Sequence, residues 1–160
     1  MTKLEIGPGG LTVKDGIVDL DVLLKISNFG RTPALDAHAN MKLIVDVTNT
    51  ADYVKRLADE SKRDSPHGLF LSPNDFYYRP WYPSSEDSDD PTRKEQIISP
   101  LLIGCVTYRV LQDKDLHQIA FAYHLGFKDG SPWGGVIGGN DRRLGADELT
   151  ISPWSGGFAT

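Results

Sequence analysis

The chain has 160 residues, 39% of them hydrophobic and 24% charged, with a formal net charge of -5. That length suits one domain burying roughly 70% of the surface its unfolded form exposes, and the composition excludes a chain disordered throughout. The acidic excess without a basic stripe argues against nucleic acid and acidic partners, the single cysteine excludes an internal disulfide or a multi-cysteine zinc site, and no run approaches the ~20 apolar residues of a membrane span.

In chain order, Leu4–Ile6 and Leu11–Val13 are apolar pieces separated by Gly7-Pro8-Gly9-Gly10, which predicts an edge strand broken by a bend. A start directly in such a piece also suits a segment of a longer protein. Two long alternating runs follow. Val18, Leu20, Val22, Leu24 and Ile26 share one face against Asp19, Asp21 and Lys25. Leu35, Ala37, Ala39, Met41, Leu43, Val45 and Val47 share another, against Asp36, His38, Asn40, Lys42 and Asp46. This period of two belongs to half-buried strands of a sheet with one wet face. The link between the runs, Asn28-Phe29-Gly30-Arg31-Thr32-Pro33-Ala34, predicts a hairpin turn with Gly30 at positive φ and Pro33 ending the pairing.

The period then changes. Ala51, Val54, Leu57 and Ala58 fall on one helical face, which predicts a helix over about 50–64 with Asn49 as N-cap and Ser65-Pro66 as terminator. Residues 66–98 form a long irregular insert, in which Gly68-Leu69-Phe70-Leu71 suits a short strand and Pro73, Pro80 and Pro83 forbid an interior one. The insert carries Phe76, Tyr77, Tyr78, Trp81 and Tyr82 in close succession and then the acidic run Glu86–Asp90, expected to be mobile. Residues 101–111 and 118–127 read as a second hairpin turning at Asp113-Lys114-Asp115. Its first strand carries Leu102, Val106, Tyr108 and Val110 on one face. Gly-rich turns at Gly134-Gly135 and Gly138-Gly139-Asn140 precede a last strand at Glu148–Ile151. The whole reads as one mainly β domain over 1–160, an antiparallel β-sandwich with one inserted helix.

The turn Asn28-Phe29-Gly30-Arg31-Thr32-Pro33-Ala34 between two long strands, with Gly104-Cys105-Val106-Thr107-Tyr108 and the later His117–Tyr123, resembles bacterial immunoglobulin-like sandwich domains bearing an N-x-G-x-T-P-A turn. Bacterial adhesion modules of the CARDB type share a similar Asn-Gly turn. The resemblance covers residues 15–48 and 98–127. It implies an immunoglobulin-like sandwich, often placed after N-terminal membrane helices on the extracytoplasmic face of a membrane, so any membrane contact would run through segments outside this chain. It supplies no catalytic residues and no cofactor, while Asn28, Gly30 and Pro33 are its structural turn.

Candidate chemistry is sparse. Asp36, His38 and a late-strand histidine, His117 or His124, would be the elements of a metal-dependent hydrolase, but no H-E-x-x-H spacing accompanies them. The acidic run lacks the glycine and final glutamate of an EF-hand loop, and the Gly-rich stretch lacks a following Lys-Ser/Thr. Cys105 lies in an apolar strand, where a thiol packs and stays inert. Tyr78, Trp81 and Tyr82 are the candidate binding residues, because interfaces concentrate aromatic rings and long loops on rigid sandwiches carry binding sites. Two fates are open to them, a contact surface or a cover over one side of the sandwich. The sequence therefore suggests a non-enzymatic binding or assembly module acting on a protein partner or on itself, with the hydrolase as the alternative.

Overall fold

Asp15 and Gly16 make the first pairing. Their φ angles are 52° and 83°, the doubly left-handed type I′ geometry for which Asp-Gly is a favoured pair. The turn folds β1 (Thr2–Lys14) back on β2 (Ile17–Ser27), with Lys14 opposite Ile17. This is a computed structural model, and it describes residues 2–45, 50–63, 68–85, 99–113, 115–131 and 141–154.

The β1 strand is not the broken edge that its glycines suggest. It runs through Gly7-Pro8-Gly9-Gly10 with a register shift between Ile6 and Leu11. Leu11–Val13 lie inside the sheet, paired on the far side with β8 (Arg142–Leu144). The carboxylate of Asp21 accepts the Gly9 N–H at 2.8 Å, so the irregular stretch is tied to β2.

The segment Asn28–Pro33 is likewise not a hairpin turn. β3 (Ala34–Ile44) does not pair with β2; it joins a second sheet, between β4 (Leu69–Leu71) and β6 (Leu101–Val110). The link is an arch that carries the chain from one layer to the other. The first sheet has the order β5-β2-β1-β8, where β5 is Phe76–Trp81. The second has the order β4-β3-β6-β7-β9, where β7 is Leu116–Phe127 and β9 is Leu149–Pro153. All pairings between these strands are antiparallel.

The alternating rows explain the packing. Val18, Leu20, Val22, Leu24 and Ile26 of β2 meet Ala37, Ala39, Met41 and Leu43 of β3 and Leu102, Val106 and Phe121 in one core between the layers. Burying each large aliphatic side chain there is worth about 1.5–3 kcal/mol. The row on β3 changes phase once: Asp36, at φ 51°, occupies a bulge between Leu35 and His38. Ala34 consequently packs on the core with Ala37, and Leu35, expected on that face, falls out of the row. At Gly104 the Phe121 ring lies across the strand, 2.1 Å from where a Cβ would stand, so the missing side chain makes room for the ring.

The inserted helix, α1 (Thr50–Arg63), covers the outer face of the five-stranded sheet. Val54 and Leu57 pack there with Ile44, Leu101, Ile103 and Ala122. β6 is therefore buried on both faces from Leu101 to Thr107, which is why its sequence is a continuous apolar run. Ala51 is exposed, and the buried stripe is completed by Thr50 and Ser61 instead. Ser61 fits because its hydroxyl donates to the Leu57 carbonyl at 2.7 Å.

The architecture is thus mainly β, two antiparallel sheets around a common core with one helix outside, consistent with a β-sandwich. The expectations for Asn49, Ser65-Pro66, the acidic run Glu86–Asp90 and the Gly134–Asn140 turns fall outside the described residues. Among the described residues no helix is long and apolar enough to cross a membrane.

Candidate functional site

Phe76–Trp81 of the aromatic segment form the edge strand β5, in place of the irregular insert expected there; among the described residues it is hydrogen-bonded to β2 alone, and Tyr82 follows its end. An edge tolerates Pro80, whose missing N–H would otherwise break a ladder. Side chains alternate across the strand. Phe76, Tyr78 and Pro80 stand opposite Ser27, Lys25 and Leu23 on the solvent face. Phe76 and Tyr78 meet edge to face with ring centroids 5.4 Å apart, and the Lys25 ammonium lies 4.4 Å and 5.2 Å from their centres. Such exposed cation–π contacts are worth about 0.5–1 kcal/mol and hold the rings upright.

The other row, Tyr77, Arg79 and Trp81, faces Ile26, Leu24 and Val22 of the core. Trp81 packs against that core and the Arg79 guanidinium sits over its ring at 4.6 Å. Of the three sequence-predicted binding residues, then, Tyr78 and Tyr82 are exposed, at 43% and 72%, and Trp81 turns inward. The backbone around Tyr82 is held firmly. Pro83 accepts from the Leu20 N–H at 3.0 Å, and Ser85 bonds Val18 through both its N–H and its hydroxyl, at 2.8 Å and 2.9 Å. The chain is therefore pinned to β2 on both sides of Tyr82.

The described histidines, His38, His117 and His124, do not converge. Thr107 Oγ1 lies 2.8 Å from the His38 ring nitrogens, and His38 Nε2 is 3.3 Å from the Ser61 carbonyl, so the ring ties the sheet to the helix. His117 is on the opposite face of that sheet, stacked on Tyr108 at 5.3 Å, with Nε2 2.8 Å from Asp113 Oδ2. Asp113 is held below the usual carboxylate range first by the Asp115 N–H and then by His117. His124 meets Trp154 edge-on at 6.3 Å. Asp36 is exposed at its bulge, and no group of three His, Cys, Asp or Glu among the described residues is placed to hold a metal. Burial pushes the Cys105 thiol up to about 11, far from the reactive thiolate form.

A second feature lies at the arch end of the sandwich, where residues 28–33, 72–75 and the β6–β7 turn come together. Asn28 organises it. Its Oδ1 accepts the Gly30 N–H at 2.9 Å, and its Nδ2 donates to the carbonyls of Thr32 at 2.9 Å and Leu71 at 3.1 Å. Its backbone N–H donates to Asp75 and its carbonyl accepts from Asn74. Gly30 does not adopt the expected positive φ; a Cβ there would stand 3.0 Å from the Asn28 Oδ1, so its small size answers a close approach. Between the layers at this end is a cavity of about 280 Å³, lined by Ile26, Phe29, Pro33, Ala37, Tyr108 and Ile119 among others. Phe29 stands at its lip, 65% exposed. Phe29 and Ile119 carry no distinctive spacing in the sequence; an apolar residue in the middle of a turn was the one available signal.

Compared with known protein families, curated proteins and solved structures, the chain matches none.

Proposed function

We propose that this chain is an immunoglobulin-like sandwich acting as a non-enzymatic binding module, and that a partner protein docks on the β5 edge through Tyr78 and Tyr82. The observation that carries this reading is the exposure of these two rings, one on β5 and one just past its end, on a segment whose backbone is pinned along β2. The Tyr78 ring is braced by Phe76 and Lys25 and the backbone on both sides of Tyr82 is fixed, so both residues lose less freedom on binding than they would on a loose loop, and tyrosine is among the residues that dominate binding hot spots.

The strand order supports the fold half of the reading. The group β5-β2-β1 facing β4-β3-β6-β7 agrees with an immunoglobulin sheet of strands A, B and E against C, F and G, with a C′ strand beside C. The backbone of the edge favours side-chain contact over strand addition: Pro80 has no N–H, and the Phe76 N–H is taken by Asp75 Oδ1 at 2.8 Å. A membrane-tethered position outside the cytoplasm belongs to the same proposal and rests on the Asn28–Ala34 turn alone.

A photo-crosslinking residue placed at position 82, and as a control at position 5 on the same sheet, tests the docking surface in cells of the natural source. The expected result is one discrete adduct from position 82 that Tyr78→Ala weakens at least tenfold. Equal labelling from both positions, or an adduct indifferent to Tyr78→Ala, would overturn it.

A further inference from the structure

We propose that the cavity at the arch end receives Phe29 of a second copy of this chain, each copy filling the other's cavity about a two-fold axis. The hole is the right kind. Its lining is mainly apolar, through Ile26, Pro33, Ala37, Val106 and Ile119, with polar groups of the arch such as Thr32 beside them, and its volume is about 280 Å³. A cavity of about 150 Å³ is already large enough for a benzene ring, so a phenyl side chain enters here with room to orient. No buried side-chain polar atom among the described residues lacks a partner, so no buried polar group there demands a polar ligand.

The knob is on the same patch. Phe29 is 65% exposed although it borders the cavity. The arch that carries it is already ordered, because Asn28 bonds Gly30, Thr32 and Leu71 and Pro33 fixes its own φ. Presenting the ring to a partner therefore costs little conformational freedom. A patch holding both knob and hole is self-complementary, which is the requirement of an isologous dimer and not of a dissimilar partner. Charge points the same way. Exposed Arg31 lies on the arch and exposed Asp115 on the neighbouring β6–β7 turn, so the patch carries both signs of charge and a two-fold pairing can set the cation of each copy against the anion of the other. Leu111, 50% exposed on that turn, widens the apolar contact.

The patch is a handful of side chains, so association belongs to the weak, transient class of interface. Sedimentation of the whole chain from about 10 μM to about 1 mM spans the matching range of dissociation constants. The expected result is a dimer fraction that rises with concentration. Phe29→Ser removes the knob from an exposed position and should weaken the dimer at least tenfold with the circular dichroism spectrum unchanged. Ile119→Trp fills the hole while keeping Phe29 and should do the same; if that variant misfolds, Phe29→Ser alone decides. The β5 edge is the control, and Tyr78→Ala with Tyr82→Ala should leave the dimer as it is. A parent that is monomeric throughout, even one that binds added indole in the cavity, overturns the proposal. So does a dimer that Phe29→Ser leaves within about twofold, or one dissolved only by the β5 variants.

Discussion

The side-chain amide of Asn28 donates to the carbonyl of Leu71 at 3.1 Å, joining two residues that are 43 positions apart and belong to different crossings between the layers. The same side chain closes the arch on Thr32 and Gly30. Asn28→Ala removes all three bonds and leaves the part-buried Leu71 carbonyl without that donor, which should cost about 1–3 kcal/mol. Asn28→Asp should cost more, since it loses the same donor and also sets a negative charge against the carbonyl oxygens of Thr32 and Leu71. Urea unfolding of both variants measures this, and an Asp variant as stable as the parent would show that the amide is not what fastens the arch.

Gly16 has φ of 83° in the two-residue turn between β1 and β2. Gly16→Ala should lower the denaturant midpoint at unchanged m-value, a loss of about 1 kcal/mol or more in unfolding free energy, because an L side chain resists that region. Asp15→Gly, at φ 52°, should be far milder because glycine takes the angle without strain. Equal losses in the two variants would mean that backbone strain is not the cause.

These two turns show how far the sequence could be read. Alternation gave the buried rows of β2 and β3 almost residue for residue, because a half-buried strand has no other way to satisfy both faces. It could not say which strand lies beside which. A run such as Val18–Ile26 packs equally well whether its neighbour precedes or follows it, and the decisive residues were Asp15-Gly16, which pair β2 backwards onto β1 and leave Asn28–Pro33 to cross between layers. The bulge at Asp36 and the pairing of β3 with β6 depend on contacts distant in sequence. For the candidate site, the aromatic segment was visible as composition but reads as part of an irregular insert over 66–98; Phe76–Trp81 is instead a strand, at an edge where Pro80 is tolerated and where the pairing with β2 depends on distant residues. Which rings face solvent depends on the register with β2, Tyr78 opposite Lys25 and Trp81 opposite Val22. The cavity behind Phe29 has no sequence signature, since both layers contribute its lining.

Cys105 is buried beneath the helix, and burial raises its thiol from 9.0 to about 11. An unfolded chain ionises this thiol near the lower value and the folded chain near the higher one. The thiol therefore detracts nothing below pH 9, and stability should fall as pH rises from about 9 through about 11. A Cys105→Ser variant should lose the part of the alkaline decline that comes from the thiol. At neutral pH the native thiol should resist Ellman's reagent and react at once in denaturant; rapid native labelling would place Cys105 at a surface.

Trp81 and Tyr82 are neighbours with opposite surroundings, and that contrast separates core from surface on the β5 edge. The Trp81 ring packs against Val22 and its fellow core residues under the Arg79 guanidinium, so Trp81→Ala opens space along one side of the sandwich. Because the ring is only half-buried, the loss should be about 2–3 kcal/mol, below the ~3–5 kcal/mol of a fully buried aromatic, and Tm should drop by roughly 5–10 °C. Tyr82 is 72% exposed, and Tyr82→Ala should stay within about 0.5 kcal/mol of the parent. A binding assay on Trp81→Ala would then report unfolding as much as contact, whereas Tyr82→Ala reports contact alone. Thermal melts of the two variants side by side decide the assignment. A silent Trp81→Ala would return the indole to the surface, and a Tyr82→Ala that melts early would move the phenol into the core.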